Sequence, residues 1–112
     1  MDIMENELVT TAMQIILHAG DARIKVEEAL TQAKSFDFEK AKETMKDAEE
    51  CIHQAHVSQT EVIQNETRGK SYEPCLLFSH AQDTLMTIMS EYNLAKQLID
   101  FFEIMNNKIE NR

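Results

Sequence analysis

The sequence predicts an all-α fold, an up-down-up protomer of three helices. Three observations carry that expectation. The 112 residues include only two glycines and one proline, far fewer breakers than the turns of an all-β or βαβ chain require. Apolar residues recur at three- and four-residue spacing along three long stretches, the period of a helix that buries one face. Two short polar segments with capping and breaking residues separate those stretches. A chain of this length is expected to form a single domain, residues 1–112, with room for one modest core.

The first helix is expected from about Met4 to Ala33. Its inward positions read Leu8, Ala12, Ile15, Ile16, Ala19, Ala22, Val26, Ala29, Leu30 and Ala33. The pattern gives out at Lys34-Ser35-Phe36-Asp37. There Asp37 can accept from the free N–H groups of the next helix, and Glu39 complements its positive end.

The second helix is expected over Phe38–Thr67. Its seam reads Phe38, Ala41, Met45, Ala48, Ile52, Ala55, Gln59 and Val62, a heptad alternation that calls for a partner helix at a shallow angle. The small members Ala41, Ala48 and Ala55 let a neighbour come close. Gly69 suits a helix stop and Pro74 suits the start of the third helix.

The third helix, from about Cys75 onward, carries more apolar surface than two neighbours can hide. One stripe reads Ala81, Leu85, Ile88, Tyr92, Ala95, Ile99 and Phe102; a second reads Leu94, Leu98, Phe101 and Met105. Surplus apolar surface on one element points to an interface, so protomers are expected to assemble through this helix.

The net charge of −9 disfavours nucleic acid and anionic membrane surfaces, both of which need a basic face. No apolar stretch approaches the roughly 18 residues that span a bilayer, so no direct membrane insertion is expected. Cys51 and Cys75 form no CxxC pair, and no signal peptide is visible. A reducing, cytoplasmic setting follows as the expectation.

Among the four histidines, His18 reads as an ordinary packed residue. Glu50-x-x-His53 is the unit that ligates iron in carboxylate-bridged bundles, but such sites need it twice, and it occurs once. His56, beside the seam position Gln59, reads as a polar contact that fixes register. His80 is better placed, in the first or second turn of the third helix. Exposed N–H groups and the dipole favour an anion there. Imidazole keeps a free ring nitrogen at cellular pH and is a competent nucleophile toward a phosphoryl group. Asp83 follows at three residues' distance. It can orient the imidazole, point into an oligomer centre, or simply face water.

The stretch His80-Ala81-Gln82-Asp83-Thr84-Leu85-Met86-Thr87 resembles the signature of the lactose/cellobiose-type enzyme IIA family of the bacterial sugar phosphotransferase system. Ile16-Leu17-His18-Ala19-Gly20-Asp21-Ala22-Arg23 and Ala55-His56-Val57-Ser58-Gln59-Thr60 are similar to two further family blocks, in matching order. The resemblance implies a homotrimer, a nine-helix bundle. It implies that His80 takes a phosphoryl group, on Nε2, from the histidine-containing phosphocarrier protein. That group then passes to a cysteine of the cognate IIB component, in the service of a membrane IIC component. Asp83 matches the aspartate that meets its symmetry mates on the threefold axis around a metal ion, read as Mg2+. Gln82 matches a position where an amide could donate to phosphoryl oxygens. Thr84 stands where the family usually has a second histidine.

The expected mechanism is reversible in-line transfer, with the second ring nitrogen of His80 donating to a fixed acceptor. Two other readings compete. A histidine phosphotransfer domain of two-component signalling typically has lysine and glycine where Asp83 and Thr84 stand. A helical interaction module would use His80 only as surface polarity.

Overall fold

The computed structural model describes residues 3–111, with side chains from Glu7 onward. Helix α1 spans Ile3–Lys34, α2 spans Phe38–Thr67 and α3 spans Leu76–Glu110, and no strand occurs among the described residues. The three lie side by side in an elongated bundle of 65 × 22 × 18 Å. A three-residue corner forces α1 and α2 antiparallel, and α3 returns parallel to α1.

The core follows the expected seams. Leu8, Ala12, Ile15, Ala19, Ala22, Val26, Ala29 and Ala33 of α1 are buried. They meet Phe38, Ala41, Met45, Ala48, Ile52, Ala55 and Val62 of α2, and Phe78, Ala81, Leu85, Ile88, Ala95 and Ile99 of α3. The alanines bring backbones together while the larger residues fill the space between them. Thr44 is also buried, with its hydroxyl donating to Gln32 Oε1 at 2.8 Å.

Both hairpin ends are closed by the same hydrogen-bond pattern. At the end of α2, Lys70 N donates to Asn65 O at 2.9 Å and Gly69 N donates to Glu66 O at 3.0 Å. Gly69 adopts φ 97, which a residue without Cβ takes at no steric cost. At the end of α1, Asp37 N donates to Gln32 O and Phe36 N to Ala33 O, each at 3.0 Å. Here the left-handed position is held by Phe36 at φ 64, an uncommon choice for a bulky side chain. Its exposed ring lies edge-on to Phe38, 6.3 Å between centroids. Asp37 then caps α2, accepting from Lys40 N at 3.2 Å as expected.

One expectation is corrected. Pro74 does not open α3; the helix starts at Leu76, and Cys75 is its extended N-cap at φ −130, ψ 113. The segment before it is tied down as a strap. Lys70 pairs with Glu7 at 3.0 Å, and the Tyr72 hydroxyl accepts from Asn65 Nδ2 at 3.0 Å. Those contacts hold the chain across α1 and α2 ahead of the helix, which starts within a residue of the expected Cys75.

Candidate functional site

The head of α3 has three backbone N–H groups without a helical partner. Ser79 N is the first to find a carbonyl, that of Cys75 at 3.1 Å. Leu76, Leu77 and Phe78 precede it. Cys75 supplies no side-chain cap, and the first turn contains no acidic residue. The positive end of the dipole is therefore left for an external anion.

His80 is the fifth residue of this helix, and its side chain is exposed. Helical side chains lean toward the N-terminus, so this position directs its side chain toward the uncapped first turn. Its backbone is secured from below, since Thr84 Oγ1 donates to His80 O at 2.9 Å. That bond gives Thr84 a structural role at the place where the family pattern usually has histidine. Among the described residues, none accepts a hydrogen bond from the His80 ring. The fixed acceptor expected for the second nitrogen is thus not supplied by the described residues.

Asp83 is exposed as well. Three residues of α-helix separate two side chains by about 60° around the axis, so the pair diverges. His80 lies on the flank of α3 that faces α1, in line with Glu91 three turns on. Asp83 lies farther out, on the stripe that carries Leu94 and Phe101, 64% and 57% exposed. That stripe faces away from the buried Ala81, Leu85 and Ile88. Thr87 Oγ1 donates to Asp83 O at 2.8 Å. Gln82 is half-buried and sits about 160° around the helix from His80, so within one protomer it does not face the imidazole.

The remaining histidines lie elsewhere. His18 is half-buried on α1. His56 Nε2 lies 3.0 Å from Met89 Sδ, a polar contact between α2 and α3 that suits the register role expected of it. Glu50 and His53 are exposed, and no group of three or more His, Cys, Asp or Glu able to hold a metal forms among the described residues. Burial, with Asp21 nearby, pushes the Cys51 thiol above its ordinary range.

Sequence reasoning missed one feature near the site. Arg23 of α1 and Glu91 of α3 form a two-armed ion pair, Nε to Oε2 at 3.1 Å and Nη2 to Oε1 at 3.2 Å. The two residues are 68 apart in sequence, so no local pattern announces them. By contrast, Thr84 at four residues' distance from His80 has the spacing for a bond to the preceding turn, which could have been read.

The grooves between α2 and α3, of about 220 and 150 Å3, are lined by Met45, Tyr92 and Ile99 or by Ile52, His56 and Met89. Neither includes His80, which stands on open surface where a protein can reach it.

The chain resembles known proteins over most of its length. Residues 10–103 match the family described as "PTS system, Lactose/Cellobiose specific IIA subunit". The chain is 43% identical over 100 residues to the lichenan-specific phosphotransferase enzyme IIA component of Bacillus subtilis, covering 89% of this chain and 91% of that protein. The fold matches the crystal structure of the cellobiose-specific enzyme IIA from Bacillus anthracis with a TM-score of 0.86 at 39% identity, over 96% of this chain and 95% of that one. It also matches a chitobiose IIA of Escherichia coli solved in complex with HPr, with a TM-score of 0.77 at 33% identity, over 88% of this chain and 96% of that one. The matched span takes in the head of α3 with His80, Gln82 and Asp83. The chain belongs to the lactose/cellobiose-specific IIA family of the sugar phosphotransferase system.

Proposed function

We propose that His80 is the phosphoryl carrier of this IIA component. The observation that supports it best is an exposed imidazole at the fifth residue of a helix whose start has free N–H groups and no acid of its own. The incoming bond forms between a ring nitrogen of His80, Nε2 by family resemblance, and phosphorus. The bond between phosphorus and the histidine of the phosphocarrier protein HPr breaks as it forms. The dianionic group then sits near the positive end of the α3 dipole. In the second transfer a cysteine thiolate of the IIB component attacks phosphorus, and the lone pair returns to the imidazole. Positioning and charge stabilisation carry both steps.

HPr as the donor agrees with the relative solved in that complex. The IIB acceptor and the membrane IIC component, which is met only through IIB, belong to the proposal, as does the cytoplasmic setting. No helix among the described residues is long and apolar enough to cross a membrane. The sugar served is of the β-linked disaccharide type, lactose, cellobiose or chitobiose.

Assembly is proposed through the outward stripe of α3, three protomers placing Leu94 and Phe101 against their copies. Asp83 shares that stripe, so three copies would bring three carboxylates together. Unneutralised, they repel. Six carboxylate oxygens are a donor set that suits Mg2+, and Asp83 of each copy would hold it. The ion supplies charge neutralisation for assembly, and the transfer at His80 needs none of it. In such a trimer Gln82 is positioned to serve a neighbouring copy rather than its own His80.

Labelling tests the carrier role. Incubation with phosphoenolpyruvate, enzyme I and HPr is expected to leave an acid-labile, base-stable phosphoryl group on the wild type and none on His80→Ala. Undiminished label on the variant would remove His80 from the mechanism, and no label on the wild type would favour the interaction-module reading.

A further inference from the structure

The seam between α2 and α3 is the most open of the three in the bundle. It holds the grooves of about 220 and 150 Å3, and Glu49 and Tyr92 line both, so the two are continuous. Together they reach the size at which small-ligand sites begin, about 300 Å3. Lys42 and Glu103 pair across one end at 2.6 Å. His56 meets Met89 at the other, 3.0 Å from nitrogen to sulfur. The run between, from Lys46 to His56, is about 15 Å long at ~1.5 Å per residue.

The floor of this groove is apolar, formed by the buried Met45, Ile52 and Ile99 and by the Tyr92 ring. The rim is polar and divides into two parts. Lys46 of α2 and Lys96 of α3 are exposed on opposite walls. Neither forms an ion pair among the described residues. The Lys42–Glu103 pair sets the register of the antiparallel helices, which puts Lys46 level with Ile99 and within one turn of Lys96. The net charge of −9 repels anions from the surface at large, whereas here two unpaired ammoniums flank one groove. Lysine binds phosphate as a point charge.

Toward His56 the rim changes character. Tyr92, whose hydroxyl donates to Glu49 at 3.3 Å, is followed by Asn93 and His56. An aromatic ring beside a carboxylate, an amide and an imidazole suits the apolar face and the hydroxyls of a sugar. Glu49 and Asp100 accept from hydroxyls and repel a bare anion. The groove therefore matches a ligand that carries both a phosphate and sugar rings.

We propose that the α2–α3 groove binds a phosphorylated disaccharide, its phosphate on Lys46 and Lys96 and its sugar rings along Tyr92 toward Asn93 and His56. The choice of a disaccharide rests on the proposed function, in which the phosphoryl group handed on by IIB ends on a β-linked disaccharide. Tyr92 lies about 18 Å along α3 from His80, so the ligand takes no part in the transfer. It ties α2 to α3 and makes the protein a receptor for sugar already delivered.

The test is isothermal titration calorimetry of the full chain with three probes: cellobiose phosphorylated on a primary hydroxyl, cellobiose itself and inorganic phosphate. The phosphorylated sugar is expected to bind saturably, at least about tenfold more tightly than either of the others. It is also expected to raise the thermal unfolding midpoint, as a ligand of the folded state does. Lys46→Gln and Lys96→Gln change exposed positions and should unfold as the wild type does without ligand. Each is expected to weaken binding by about fivefold or more. Tyr92→Phe keeps the ring and should bind within about threefold of the wild type, while Tyr92→Leu should lose about tenfold. Equal affinity for inorganic phosphate would mark an adventitious anion site and overturn the proposal. Equal affinity for cellobiose would overturn the assignment of the lysines, and undiminished binding in both lysine variants would move the site elsewhere. A chain that takes label on His80 but gives no heat with the phosphorylated sugar would overturn the groove alone. A chain that takes no label would instead defeat the carrier reading.

Discussion

His80 and Asp83 stand three residues apart on α3 and do not form a pair: the imidazole lies on the flank facing α1, and the carboxylate lies on the outward stripe with Leu94 and Phe101. No hydrogen bond joins them. Each has its backbone carbonyl held by the hydroxyl of the threonine one turn later, Thr84 and Thr87. The two side chains thus point to different surroundings, His80 along the flank beside α1 and Asp83 along the exposed outward stripe.

The first expectation concerns that division. Chelation of divalent metal is expected to weaken wild-type association, because three carboxylates would then repel each other. Asp83→Leu removes the charge and should give a trimer whose sedimentation no longer responds to chelator, while still accepting phosphoryl groups on His80. A folded but monomeric Asp83→Leu would show that Asp83 does not lie at the centre of the assembly.

A second expectation concerns the stripe itself. Leu94→Lys with Phe101→Lys places six charges in the proposed trimer centre and should reduce the sedimenting mass to that of one protomer. Helicity by circular dichroism should persist, because neither side chain contributes to the protomer core. An unchanged mass would move the interface elsewhere.

The helical architecture was legible because its signals are local. Asp37 and Gly69 bound α2 through capping geometry that needs no tertiary context, and the alanine seam announced which face is buried. Spacing alone left open whether Asp83 orients His80 or points elsewhere; their separate roles were suggested only by the family resemblance. Other features were hidden for physical reasons. Phe36 occupies a left-handed position that its side chain disfavours, so no residue preference marks it. Arg23 and Glu91 meet only once the bundle has formed. The segment before α3 is held by Glu7 and Asn65, contacts between residues distant enough in the chain that no local pattern marks them. The surplus apolar face of α3 was readable, but what covers it is not a property of one chain's pattern.

A third expectation follows from Gln59. Its Oε1 is buried without a partner in the α2 seam, and an unsatisfied buried acceptor costs about 1–3 kcal/mol. Gln59→Leu should raise stability by about 1 kcal/mol in urea unfolding, given that nearly isosteric apolar replacement removes the penalty. A loss of stability would show that the amide is satisfied in solution.

A fourth concerns alkaline titration. Burial raises the Tyr92 phenol, and the neighbouring Glu49 carboxylate, which accepts from its hydroxyl at 3.3 Å, raises it further. In a Tyr72→Phe background, absorbance near 295 nm should show Tyr92 ionising above the ordinary value of 10.0. Glu49→Gln should bring the midpoint down. The sign for stability follows from linkage: the raised folded value stabilises the protein below the unfolded phenol's pKa, and that contribution is lost as pH rises through the folded one. A Tyr92 midpoint at or below 10.0 would contradict the contact.

The most direct measurement is the site of the phosphoryl group. Protein charged from phosphoenolpyruvate through enzyme I and HPr is digested at alkaline pH, and the labelled peptide is mapped by mass spectrometry and phosphorus NMR. The expected result is one phosphoryl group per chain on His80, bonded to Nε2, lost on acid treatment and discharged by IIB. Label on His18, His53 or His56, or its persistence in His80→Ala, would contradict it.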